Sequence, residues 1–147
     1  MKLLVACNPG GHFTEMILLK EAFEGHDTVF LTYENPTTTT FPFKIHTIKR
    51  IDTNLWAMLQ SFLRIFIIIK KEKPSIIIST GAEIAIPVFI IGRLMGIKMV
   101  YIESWCRVKT KSGAGRIAYY LADVFLVQWP ELATIYGKKA RYKGAVI

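Results

Sequence analysis

Cysteine is scarce in this sequence, which holds only Cys7 and Cys106. Both stand at or near the ends of segments read below as inner strands, in no metal-ligating spacing and no disulfide framework. Reduced thiols, a cytoplasmic compartment and no metal site are therefore expected. Acidic residues are outnumbered, with 11 Asp and Glu against 19 Lys and Arg and a formal charge of +8. Such a balance suits an anionic partner: nucleic acid, an acidic bilayer or a phosphate-bearing substrate. Long apolar runs are also missing. The longest, Phe62 to Ile69, contains Arg64 and falls well short of the roughly 20 residues that cross a bilayer. The opening run Met1–Cys7 is too short for the apolar region of a secretory leader before Asn8-Pro9-Gly10-Gly11 breaks it. Any membrane attachment is thus expected to be peripheral. Neither G-x-G-x-x-G nor G-x-x-x-x-G-K-[ST] occurs, so a bound dinucleotide or P-loop nucleotide finds no support.

What is present is apolar. Of 147 residues, 52% are hydrophobic and mean hydropathy is +0.33, which excludes a disordered chain and asks where the surplus apolar surface goes. The length suits one domain, residues 1–147, with no repeat and no linker. The run Thr37-Thr38-Thr39-Thr40, followed by Pro42, reads as a polar loop. Short apolar runs at Lys2–Cys7, Asp27–Thr32, Lys44–Ile48, Ser75–Thr80, Lys98–Glu103 and Asp123–Gln128 read as strands. Several are near-continuous Ile, Val and Leu, as in parallel strands covered on both faces. Helix-period segments at Gly11–Phe23, Asn54–Lys71, Glu83–Met95, Gly113–Ala122 and Pro130–Tyr136 alternate with them. The alternation predicts an α/β fold with a Rossmann-like, doubly wound, mostly parallel sheet.

Ligands of such sheets bind beyond the carboxyl ends of the strands. Four loops there collect the polar and glycine residues: Asn8–His12, Thr80–Glu83, Glu103–Trp105 and Gln128–Glu131. Gly10 and Gly11 allow close approach of backbone to a ligand, and the helix start behind them offers unpaired N–H groups to an anion such as a diphosphate. A purely structural tight turn is the alternative. His12 reads either as a general base or sugar contact, or as a helix-start histidine facing solvent. Gly81, Ala82 and Glu83 repeat the arrangement, with Glu83 in a first helical turn where the dipole favours an acid. Glu103 either orients a hydroxyl or pairs with Arg107.

The segment Asn54–Lys71 is apolar around most of its circumference. Thr53, Asn54, Gln60, Ser61, Arg64 and Lys71 share one stripe roughly 120° wide, whereas packing on a sheet needs an apolar face of only about 100° or somewhat more. Some of Leu55, Trp56, Leu59, Phe62, Leu63, Phe66 and Ile67 are therefore expected to meet a neighbouring helix, a partner or a membrane, a fully buried core helix being the alternative. Arg107, Lys109, Lys111 and Arg116 form one basic cluster, and Lys138, Lys139, Arg141 and Lys143 a second. Aromatic residues do not interleave with them as a nucleic-acid platform requires. Beside apolar helices, they favour an anionic membrane surface.

Gly10-Gly11-His12, Ser79–Pro87, Tyr101-Ile102-Glu103-Ser104 with Arg107-Val108, and Ala122-Asp123 through Leu126–Glu131 carry a family likeness. The chain resembles the membrane-associated subunit of the two-part transferase that adds the second N-acetylglucosamine to dolichol-diphosphate-GlcNAc, together with related bacterial capsule and exopolysaccharide proteins. The resemblance implies the N-terminal half of a GT-B glycosyltransferase, similar to the acceptor domain of the peptidoglycan lipid I N-acetylglucosaminyltransferase. It implies an acceptor site at Gly10, Gly11, Gly81, Ala82 and Glu83 for a polyprenyl-diphosphate-linked saccharide. His12 matches a histidine proposed to deprotonate the acceptor hydroxyl, and Glu103 an acidic cleft residue. It further implies that this chain binds no cofactor and that a catalytic partner subunit holds the nucleotide-sugar donor, expected to be a UDP-sugar. Trp56, Leu59, Phe62, Leu63, Phe66, Arg107, Lys109 and Lys111 are the expected membrane or partner surface, at the cytoplasmic face. The eukaryotic subunit carries an N-terminal anchor, so a chain beginning at its first strand is expected to be a prokaryotic or shortened form. A non-catalytic scaffold that only recruits the partner and a stand-alone nucleotide-binding domain are the other readings.

Overall fold

A computed structural model describes residues 1–34, 42–51 and 54–146; the Thr37–Thr40 run and Thr53 lie outside them. Seven parallel strands form one sheet: β1 (Lys2–Ala6), β2 (Asp27–Tyr33), β3 (Lys44–Ile48), β4 (Ile76–Ser79), β5 (Lys98–Ile102), β6 (Val124–Val127) and β7 (Ala140–Tyr142). Their order is β3-β2-β1-β4-β5-β6-β7. The helices are α1 (Gly11–Leu18), α2 (Leu55–Glu72), α3 (Ala85–Leu94), α4 (Gly113–Leu121) and α5 (Pro130–Tyr136), with a 3₁₀ turn at Lys20–Phe23.

Alternation along each strand sorts side chains to two faces. Leu4, Ala6, Val29, Leu31, Ile77, Met99 and Phe125 build one core with Ile65 and Ile69 of α2, Val88 and Phe89 of α3, Ala118 of α4 and Leu132 of α5. The intervening Leu3, Val5 and Phe30 form the other, with Met16 of α1 and Phe23 of the 3₁₀ turn. Continuous apolar strands are thus used on both faces, as the sequence suggests.

Three boundaries differ from expectation for physical reasons. The segment expected as one helix over Gly11–Phe23 tightens after Leu18, where Leu19 N–H donates to the Met16 carbonyl and the 3₁₀ turn begins. Phe23 then meets Phe30 edge-on, with ring centroids 6.4 Å apart. Helix α3 starts at Ala85 rather than Glu83: after the left-handed Gly81 (φ +109°) and Ala82 (φ +65°), Glu83 and Ile84 are taken up in a tight turn closed by Ala85 N–H on the Ala82 carbonyl, and the helical bonds begin with Val88 N–H on the Ile84 carbonyl. Strand β7 was not foreseen. Ala-Arg-Tyr is short and charged, which suits an edge strand but leaves no alternation to read.

Helix α2 buries a narrow stripe. Ser61, Ile65, Ile69 and Glu72 are buried, and the Ser61 hydroxyl donates to the Ala57 carbonyl of its own helix at 3.0 Å. Leu55, Trp56, Met58, Leu59, Leu63, Phe66 and Ile67 remain exposed, Trp56 at 67% and Leu63 at 59%. Phe62, expected on that outer surface, is instead half-buried and packs on the core beside Ile65. A stripe widened by Phe62 and Ile68, which both pack on the core, thus suffices to seat the helix, and the exposed large side chains are surplus to it.

Glu72 closes α2 at the opposite edge from the loops. An acid in a last helical turn opposes the helix dipole, yet this one is buried and fully engaged. It accepts from Lys2 Nζ at 2.8 Å, Lys44 Nζ at 2.7 Å and His46 Nε2 at 2.6 Å, which pins the helix to the amino ends of β1 and β3. The Lys2 and Lys44 ammonium groups hold its carboxyl down to about 2. Because an unfolded carboxyl takes its proton near 4.5, the stabilisation is full above that pH and is lost as pH falls towards about 2. Glu72→Gln should lower stability at pH 7 by about 2 kcal/mol and flatten the acid limb. Urea unfolding of both proteins at neutral and acid pH checks this; parallel acid limbs would refute it.

Candidate functional site

The chain leaves β1 towards β2 and β3, then returns to β4 and proceeds the other way. Loops following β1 and β4 therefore diverge, and a crevice opens at their carboxyl ends. The cleft there has a volume of about 560 Å³. His12, Ala82, Glu83, Tyr101, Glu103 and Arg107 are among its lining residues. The structure thus brings together His12 from the first loop, Ala82 and Glu83 from the second and Glu103 from the third.

The two glycine loops touch. Thr80 Oγ1 donates to the His12 carbonyl at 3.2 Å. A side chain on Gly81 would put its Cβ 2.6 Å from the Tyr101 hydroxyl and 3.7 Å from His12 Cε1, so glycine is needed for space as well as for its φ. Gly10, at φ +92°, turns the chain into α1, while Gly10 and Gly11 are both exposed with open space around them and are not among the residues that line the cleft. Neither α1 nor α3 has a side-chain cap or an acid in its first turn, so side chains leave the leading N–H groups of α1 unclaimed, whereas at α3 Ala85 N–H already donates to the Ala82 carbonyl and Pro87 has no N–H. His12 is half-buried, and its Nδ1 is buried without a hydrogen-bond partner.

Glu103 is 1% exposed. Its Oε1 accepts from Ser104 N–H at 3.0 Å. Oε2 accepts from Ser112 Oγ at 2.9 Å, from Ser112 N–H at 3.3 Å and from the Tyr136 hydroxyl. None of these donors is Arg107, so of the two arrangements the sequence leaves open, the carboxylate orients hydroxyls. Ser112 in turn caps α4 by accepting from Gly115 N–H at 2.8 Å, and its hydroxyl stands 3.4 Å from that of Tyr101. Burial, reinforced by the Glu103 carboxylate, pushes the Tyr101 and Tyr136 phenols up, which keeps both protonated as hydroxyl donors.

A second buried carboxylate was missed in the sequence. Glu15 of α1 is 5% exposed and accepts from Ser104 Oγ at 2.8 Å, Gln128 Nε2 at 3.1 Å and Trp105 N–H at 3.4 Å. Gln128 Nε2 also donates to the Glu103 carbonyl at 3.1 Å. The available signal was an acid three residues beyond His12, immediately before the apolar Met16-Ile17-Leu18. Arg50 was missed too. It pairs with Glu83 at 3.0 Å on the exposed rim, and this partner, rather than a helical first turn, is what Glu83 meets.

Other expected residues lie elsewhere. Arg107 and Lys109 are exposed on the loop after β5, but only Arg107 lines the cleft. Lys111 Nζ lies 5.0 Å from the Tyr136 ring centroid, a cation–π contact. Cys106 is an exposed free thiol at the cleft, whereas Cys7 is buried, which pushes its thiol up to about 12. Among the described residues no cluster of three or more His, Cys, Asp or Glu could hold a metal ion, and no helix is long and apolar enough to cross a membrane.

Comparison with known proteins gives a consistent picture. The family model for oligosaccharide biosynthesis protein Alg14-like proteins matches residues 44–146. The human UDP-N-acetylglucosamine transferase subunit ALG14 is 28% identical over an alignment 181 positions long, gaps included, covering 100% of this chain and 83% of that protein. Among solved structures, MurG of Acinetobacter baumannii superimposes with a TM-score of 0.79 at 16% identity over 97% of this chain. UDP-N-acetylglucosamine 2-epimerase from Rickettsia bellii does so at 0.76 and 12% identity over 99%. This chain spans 45% of each of those two structures. The fold is accordingly one Rossmann-like half of a GT-B architecture.

The third loop yields a direct test. A Cβ on Gly115 would collide with Glu103 Oε2 and the Tyr136 hydroxyl, whereas one on Gly113 meets nothing within 4 Å. Gly115→Ala should cost about 2–3 kcal/mol and Gly113→Ala less than about 0.5 kcal/mol, measured by urea unfolding. Equal effects would contradict the close packing of α4 on Glu103.

Proposed function

This chain belongs to the Alg14-like family of oligosaccharide biosynthesis proteins, glycosyltransferase-associated subunits, and on that premise we propose that it is the acceptor-binding half of a split GT-B enzyme. The observation that carries the reading is a Rossmann-like half whose cleft opens at the strand reversal and exposes a half-buried histidine. The acceptor is a polyprenyl-diphosphate-linked saccharide. Its diphosphate lies against the glycine loops, where the uncapped start of α1 supplies N–H donors and Arg107 a positive charge. A partner subunit holds the UDP-sugar and closes the cleft from the other side.

His12 is the base in this scheme. Both oxygens of Glu103 and both of Glu15 are already occupied by donors, so neither carboxylate is placed to receive a proton. The imidazole takes the proton of the attacking acceptor hydroxyl as that oxygen adds to the anomeric carbon and the nucleotide diphosphate departs, with inversion. In the scaffold alternative the chain only recruits its partner and His12 performs no chemistry.

Attachment follows from surplus apolar surface. Helix α2 begins beyond the carboxyl end of β3, so exposed Leu55, Trp56 and Leu59 lie towards the cleft edge, and Leu63, Phe66 and Ile67 continue the exposed surface. With exposed Arg64, Lys70 and Lys71 on the same helix, this surface suits the acyl boundary of an anionic leaflet, at the cytoplasmic face where the lipid-linked acceptor is presented.

Two measurements test these statements. Transfer to a polyprenyl-diphosphate sugar should require both subunits, and His12→Ala should lower kcat of the assembled enzyme by about 10²–10⁴-fold. Retention of most turnover would favour the scaffold, and full activity of this chain alone would overturn the split enzyme. The chain should also co-sediment with vesicles containing anionic lipid, less so in high salt, and Leu59→Glu with Leu63→Glu should abolish most of that binding. Unchanged sedimentation of this double variant would remove α2 from the membrane.

A further inference from the structure

Helix α1 is held at two points, and one of them is a buried charge. His12 is its second residue, and Glu15 follows three positions later, about one turn on. The backbone of His12 is tethered by Thr80 Oγ1. Glu15 tethers the same turn to the far side of the cleft, through Ser104 and Trp105 beyond β5 and Gln128 beyond β6. No cation reaches Glu15 among the described residues; its partners are a hydroxyl, an amide side chain and a backbone N–H. A buried carboxylate satisfied only by neutral donors is costly to desolvate and tolerates little displacement. Each donor is itself fixed. Ser104 Oγ also accepts from Cys106 N–H at 3.4 Å. Gln128 Oε1 accepts from Val146 N–H at 3.0 Å, and its Nε2 reaches the Glu103 carbonyl.

We infer that Glu15 is a positioning residue for His12: by accepting from Ser104, Trp105 and Gln128, it fixes α1 against the β5 and β6 loops and so sets where the imidazole stands in the cleft. This role rests on the assignment of His12 as base, but the geometry it describes exists without any substrate. Glu15→Met keeps the bulk of the side chain and removes both acceptors, leaving the Ser104, Trp105 and Gln128 donors without an oxygen. Glu15→Gln is the conservative control: its amide oxygen accepts from Trp105 and Gln128 while its Nε2 donates to the Ser104 hydroxyl, which can accept.

The chain has three histidines, His12, His26 and His46, so the imidazole carbon–proton NMR signals of the full-length chain report on position with two internal controls. Glu15→Met should shift or broaden the His12 signal while leaving those of His26 and His46 in place, and Glu15→Gln should leave it near its original position. In the assembled enzyme Glu15→Met should lower kcat about tenfold or more, with KM for the acceptor within about twofold, and Glu15→Gln should keep most of the activity. Should Glu15→Met fail to fold, Ser104→Ala removes a single anchor and is read in the same two ways. An unmoved His12 signal with unchanged kcat overturns the inference, as does a common shift of all three imidazoles, which marks a global change. If the wild-type complex transfers no sugar, the transferase reading falls while the imidazole signals still decide the positioning.

Discussion

Two carboxylates buried at the carboxyl edge of the sheet set the terms for everything around them. Glu15 and Glu103 lie at 5% and 1% exposure, and the donors they accept from are neutral. An ionised group so placed must be supplied with hydrogen bonds from every side, or the site does not form. That demand recruits Ser104 and Trp105 after β5, Ser112 at the head of α4, Gln128 after β6 and Tyr136 of α5. It also explains why Gly115 has no side chain.

Much of this architecture was legible in the chain. Near-continuous Ile, Val and Leu announced parallel strands, and glycines at the ends of two of them announced the loops that face each other across the reversal. What was illegible depended on distance in sequence. Glu15 and Gln128 are hydrogen-bonded across 113 positions, and nothing local distinguishes Glu15 from an ordinary helical acid. Glu103 was visible as an acid at a strand end, but its engagement is decided by Tyr136, which reads as a core aromatic. The double left-handed step at Gly81 and Ala82 was equally hidden, since alanine does not advertise a positive φ. Strand β7 escaped because three residues carry no periodicity.

The apolar surplus of the composition has a definite place. It is spent neither on a larger core nor on a spanning segment, but on the outer side of α2, where seven large side chains face away from the sheet. The stripe that seats the helix is so narrow that it includes a serine. Amphipathicity is normally read as one apolar face for the core. Here the polar residues share the rim with both apolar faces, which is why counting the width of the polar stripe revealed more than the average hydropathy did.

The sheet is fastened at the end away from the cleft. Glu72, with Lys2, Lys44 and His46 around it, binds a long helix to the first and third strands at their amino ends. Cohesion and recognition are thereby assigned to opposite poles of one small domain. Residues around the loops can be exchanged during divergence while the distant ionic knot keeps the scaffold intact. Such a division lets a chain of this size explore new ligands without first acquiring a larger core.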